Sequence, residues 1–149
     1  MKTILYIDHS ESWKFLLGEE LSEEGYKVVT ANNIEEALSK GRDINPNLII
    51  LELRQKRFEG ESFEDLKKQF PDIPWIGYST FFQCPSEYKK WVDYYLPKWP
   101  QMEGIKSLVR GLSTVSSVKK LFDGRRKSLK KEISDENGRG KRKGEGLGD

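Results

Sequence analysis

Residues 46–60 read PNLIILELRQKRFEG, and the fold turns on how they are read. The apolar run 47–53 is brief and rich in branched side chains. It fits a strand buried on both faces better than a helix. Strands of that kind belong to parallel sheets covered by helices. One carboxylate, Glu52, sits inside the run. An ionised group at the end of a buried strand is costly unless it is paired or used. Gly60 follows eight residues later.

The same pattern repeats on either side. TILYID (3–8) and YKVVTA (26–31) precede this strand, and IPWIGYS (73–79) and VDYYL (92–96) follow it. Between them run helical spacings. Trp13, Leu16, Leu17 and Leu21 form one apolar stripe, with Ser10 able to cap its start and Gly25 its end. Asn33 and Glu36 offer capping chemistry for a second helix with the stripe Ile34, Ala37 and Leu38. Phe63, Leu66 and Phe70 mark a third, which Pro71 ends. A short helix is expected at 86–91. Met102, Ile105, Leu108, Val109 and Leu112 form the face of a last one.

Five β-α repeats with short joints predict a doubly wound fold around a five-stranded parallel sheet, of either flavodoxin-like or dinucleotide-binding type. The first βα joint is DHSES, without glycines, and no Walker loop occurs. Dinucleotide and P-loop functions therefore lose most of their support, and a flavodoxin-like, doubly wound (βα)5 sandwich is the expected fold.

The chain has 149 residues and a net charge of +2. Residues 1–118 carry 15 Lys/Arg and 18 Asp/Glu; residues 119–149 carry 11 and 6. An acidic body thus precedes a basic tail. From 123 onward there is no aromatic residue, and six of the 13 glycines lie there. The expected organisation is a domain over 1–112, its last helix extending as far as 122, and a disordered tail over 123–149. A nucleic-acid role for the tail lacks the interleaved aromatics that stack on bases. Cys84 alone makes neither a disulfide nor a cysteine zinc site. No stretch has the length of a signal peptide or membrane span, so a cytoplasmic location is expected.

In such a fold, chemistry gathers at the carboxyl edge of the sheet. Strand one delivers Asp8 and His9 there, strand three Glu52, strand four Ser79 and Thr80, and the segment after strand five Lys98. With these residues the stretch 2–112 resembles the receiver domain of two-component response regulators. Asp8 and His9 stand at the acid pair, Glu52 at the phosphoacceptor aspartate, and Gly60 at the loop glycine. Ser79 stands at the strand-four hydroxyl, and Tyr95 and Lys98 at the switch aromatic and lysine. Three departures are visible: Glu52 replaces aspartate, His9 replaces a magnesium-ligating acid, and Lys56 replaces the loop proline. The segment between Ser79 and Lys98 is also short, which implies a reduced helix.

Magnesium demands hard oxygen ligands in a tight octahedron, and phosphoryl transfer depends on position. The resemblance therefore implies a pseudo-receiver that acts by protein–protein contact without phosphorylation, cofactor or metal. Two readings of Glu52 stand side by side: a phosphate mimic held by Lys98, and a plain strand-end acid held by the same lysine. One imidazole is too little to specify a transition-metal site. Ser79 with His9 lacks a nucleophile elbow or oxyanion motif, so no enzyme is expected. The ring-rich region 81–99, including Trp91, Tyr94 and Trp99, is the expected partner face. Two alternatives remain: an atypical phosphoaccepting regulator, and a small nucleic-acid-associated protein that uses its tail.

Overall fold

The structure is a computed structural model, and it describes residues 2–55, 60–98 and 102–121. Lys56, Trp99 and the tail from 123 lie outside the described residues. The chain divides into two units, Met1–Leu108 and Val109–Asp149. In the second unit the described residues, 109–121, are helical.

The sheet has five parallel strands: β1 (Thr3–Ile7), β2 (Lys27–Ala31), β3 (Leu48–Leu51), β4 (Trp75–Ser79) and β5 (Tyr94–Pro97). Their spatial order is β2-β1-β3-β4-β5, which is the flavodoxin-like doubly wound order. Every residue of β3 and β4 is buried. That burial explains why neither strand alternates apolar with polar residues.

Helices α1 (Glu11–Glu23), α2 (Ile34–Gly41), α3 (Gly60–Gln69) and α4 (Glu103–Leu121) complete the elements. Ser10 caps α1 by accepting the Trp13 amide at 3.2 Å. Gly25 follows the helix with φ of 98°, a conformation that costs glycine little. At α2 the caps are reciprocal. Asn33 Oδ1 accepts the Glu36 amide, and Glu36 Oε1 accepts the Asn32 amide.

Leu5, Ile7, Ile49, Leu51 and Trp75 face the cluster built from Ala37, Phe63, Leu66 and Phe70. Phe70 packs so close to Gly41 that a Cβ there would collide with the ring. On α1, Leu17 and Leu21 are fully buried, each contributing about 1.5–3 kcal/mol.

Leu16 is a correction to the expected stripe, since it is 50% exposed. The helix advances about 100° per residue, so Leu16 points about 110° away from the centre of the buried arc. That arc is formed by Trp13, Lys14, Leu17 and Leu21. Two boundaries also differ. The strand expected over 92–96 begins at Tyr94, because Asp93 is used to close the edge: its carboxylate accepts the Trp75 amide at 2.9 Å. The helix expected over 86–91 is one 3-10 turn, Ser86–Tyr88. Among the described residues, no helix is long and apolar enough to cross a membrane.

Candidate functional site

Three side chains meet because three strands end together. Just past β1, the Asp8 amide donates to the Ala31 carbonyl at 2.9 Å. After β3, the Glu52 amide donates to Ile7 at 2.8 Å; after β5, Lys98 donates to Ser79 at 2.7 Å. Each residue thus prolongs the ladder by one bond, which fixes its backbone before its side chain acts.

Lys98 Nζ lies 2.6 Å from Asp8 Oδ2 and 2.8 Å from Glu52 Oε1. All three residues are buried: Asp8 is 0%, Glu52 3% and Lys98 4% exposed. Removing such charges from water costs several kcal/mol per ion, and only close pairing with further hydrogen bonds offsets it. Those bonds are present. Glu52 Oε2 accepts the Ser79 hydroxyl at 2.5 Å and the Arg54 amide at 2.6 Å. Asp8 Oδ1 accepts the Ser10 amide at 2.9 Å, and Oδ2 also accepts the Tyr6 hydroxyl at 2.6 Å.

Tyr6 is a residue that reasoning from the sequence missed. The available signal was strand alternation: residues two apart share a face, so a buried Tyr6 points the same way as Asp8. Burial pushes its phenol far above the ordinary range, and the Asp8 carboxylate pushes it further. Trp13 was also missed as a site residue. Its ring centre lies 5.0 Å from Lys98 Nζ, and it meets Tyr78 edge-on at 5.6 Å. Burial raises the Tyr78 phenol to about 12, with Asp8 adding to the shift.

The switch position Tyr95 is half-buried. Its hydroxyl donates to the carbonyls of Ser79, at 3.2 Å, and of Phe81. Burial raises this phenol to about 12, with smaller contributions from Cys84 and Glu52. Gly77 leaves room for the ring, since a Cβ there would sit 3.2 Å from it. His9 is exposed, apart from the buried trio. Trp91 is half-buried and packs edge-on against Phe63 at 5.5 Å. Among the described residues, the most exposed ring is Phe82, at 86%.

Comparison with known proteins places this geometry. No protein-family model matches the chain. The response regulator TrrA of Thermotoga maritima, solved in complex with magnesium and beryllofluoride, is 33% identical with a TM-score of 0.64. That match covers 75% of this chain and 99% of TrrA. TrrA has also been solved in complex with the histidine kinase ThkA. The chemotaxis protein CheY4 of Vibrio cholerae, 23% identical with a TM-score of 0.68, shares the fold over 75% of this chain and 98% of its own. The transcriptional regulatory protein PhoP of Bacillus subtilis is 39% identical over 69 residues, 46% of this chain. The chain spans 29% of PhoP's length. This chain belongs to the response-regulator receiver family, the signalling domains of two-component systems.

Magnesium, seen with TrrA, demands hard oxygen ligands. As arranged here, the residues do not fit that ion. All four carboxylate oxygens of Asp8 and Glu52 already accept protein donors. The position of the second acid carries an exposed imidazole, His9. Among the described residues, no group of three His, Cys, Asp or Glu side chains is placed to hold a metal.

Proposed function

We propose that this receiver signals through protein contact with its switch set by its own side chains, independently of phosphorylation. One observation carries the reading: Glu52, at the acceptor position, is fully engaged by Lys98, Ser79 and the Arg54 amide. The lysine and hydroxyl that would gather around a phosphoryl group are gathered around a carboxylate instead. The imitation is partial, because a phosphoryl group carries more charge and another oxygen. Tyr95 is tied to the carbonyls beyond β4, so the adjoining surface is held in one arrangement. Partner contact runs through the region 81–99, where Phe82 and Tyr94 offer exposed rings. TrrA's complex with ThkA supports a protein partner of the histidine-kinase class. The module is a non-enzymatic, cytoplasmic one in this reading.

A second reading has its own support. TrrA, 33% identical, is seen with magnesium and beryllofluoride, and Asp8, Ser79 and Lys98 persist here. An atypical phosphoacceptor at Glu52 would follow if the Lys98 contact opens.

The two readings separate in one experiment. The wild-type chain is incubated with acetyl phosphate and analysed by intact-mass spectrometry, and Glu52→Gln is assayed for partner affinity. The first reading expects no phosphate adduct and about a tenfold loss of affinity, or 1.4 kcal/mol, in Glu52→Gln. A labile phosphate on Glu52 would establish the second.

A further inference from the structure

We propose that the cleft formed by α1, the end of β2 and α2 is a binding site for a free aromatic α-amino acid. The cleft has a volume of about 380 Å³, within the range of small-molecule sites. Asp8, Glu52 and Lys98 are not part of its lining. Lys14 is, and it is a charged residue only 8% exposed. Its Nζ donates to Glu11 Oε2 at 3.0 Å and to Asn32 Oδ1. Lys40, from α2, donates to the Thr30 carbonyl at 2.8 Å and pairs with Glu36 Oε2 at 3.1 Å. An ammonium carries three N–H groups. Among the described residues, each lysine is thus one acceptor short. The Asn32 amide, and then the ammonium groups of Lys40 and Lys14, hold the Glu36 carboxyl below its ordinary range. Both cations therefore act on the same part of the cleft.

The charges of the lining select the ligand. Lys14 and Lys40 are balanced by Glu11 and Glu36, so the cleft is neutral as a whole. A ligand with net charge would be left uncompensated there, and a zwitterion would not. A carboxylate brings two oxygens, one for each spare N–H, and such charge-assisted bonds are strong. Glu11 Oε2 is taken by Lys14, and Oε1 is left to accept from the ligand's ammonium. Phe15 lies four residues after Glu11 on the same face of α1, with its ring exposed. An aromatic side chain on the ligand pairs with that ring and covers it. The cleft also shares backbone with the buried trio, since Ala31 in its lining accepts the Asp8 amide at 2.9 Å.

The test uses the full chain as wild type, Lys14→Met, Lys40→Met and Glu11→Gln. Binding of L-phenylalanine is followed by amide NMR shifts at fixed pH and ionic strength. Hydrocinnamate, which lacks the ammonium, and phenethylamine, which lacks the carboxylate, are the controls. In the wild type, L-phenylalanine is expected to give saturable shifts around Lys14, Asn32 and Lys40, with a Kd of about 1 mM. Each control should bind at least tenfold more weakly. Lys14→Met is expected to lose at least tenfold in affinity; if it does not fold, the same loss is required of Lys40→Met, changed at an exposed position. Glu11→Gln should bind L-phenylalanine and hydrocinnamate alike. No saturable shift around the cleft at about 20 mM L-phenylalanine overturns the inference. Equal binding of either control to the wild type, unchanged affinity in the lysine variant, or a preference for L-phenylalanine that persists in Glu11→Gln also overturns it. A phosphate on Glu52 would sink the proposed function and leave this site standing, and failure here leaves the reading of Glu52 untouched.

Discussion

The carboxyl edge over β1 and β3 and the connection between β4 and β5 solve opposite problems. At the first, three charged side chains are buried with their partners arranged around them. At the second, a crossover helix has shrunk to a three-residue turn, and Phe82 is left 86% exposed. The edge is expensive to build and therefore tightly specified. The connection leaves ring surface open to solvent. In this chain, rigidity and availability are assigned to different segments.

The sharpest way to break that contrast is Lys98→Met. It leaves two buried carboxylates facing each other, and urea unfolding is expected to show a loss of about 3–5 kcal/mol. A loss below about 1 kcal/mol would mean that the edge is not tightly specified.

Tyr6→Phe comes next, because it removes one donor from buried Asp8. The expected loss is about 1–3 kcal/mol. The same residue gives a pH signature. Its phenol is raised above the ordinary 10.0, so the unfolded chain loses that proton while the native chain keeps it. The unfolded state then binds fewer protons, and stability falls as pH rises above about 10. Tyr78 and Tyr95 act in the same direction. Denaturation midpoints measured from neutral to alkaline pH should fall less steeply in Tyr6→Phe; an identical slope would remove Tyr6 from the account.

Ser10→Ala removes the α1 cap beside the edge and is expected to cost about 1 kcal/mol by the same measurement. The smallest stability effect belongs to the connection. Phe82→Ser should change stability by less than about 0.5 kcal/mol while weakening partner binding measured by calorimetry. Unchanged binding would move the contact face elsewhere.

The two regions also differ in how far the sequence reveals them. The alternation of strand and helix and the parallel sheet followed from short apolar runs and helical spacings, and the α1 and α2 caps from Ser10, Asn33 and Glu36; the spatial order of the strands came from the structure. The rim residues could be named because strand ends converge in this fold. Tyr6 and Trp13 were hidden because an aromatic in an apolar stripe looks like core, and only three-dimensional neighbours reveal its polar contacts. Leu16 was misread because its spacing from Trp13 suits a single stripe, although the step of about 100° per residue turns it away from Leu17 and Leu21. Around Phe82 the rings are dense, and nothing local says which of them the shortened turn will leave uncovered.

The partners Asp8 and Lys98 lie 90 residues apart in the chain. At translation rates of roughly 5–20 residues per second, Asp8 is made about 5–20 s before its counter-ion exists. During that interval β1 and β3 can pair, but their acids have only water to answer them. The trio can form only once β5 has been made and has joined the sheet beside β4. A nascent chain lacking its last strand would be recognisable by two hydrated acids where the finished protein has a dry ion bridge.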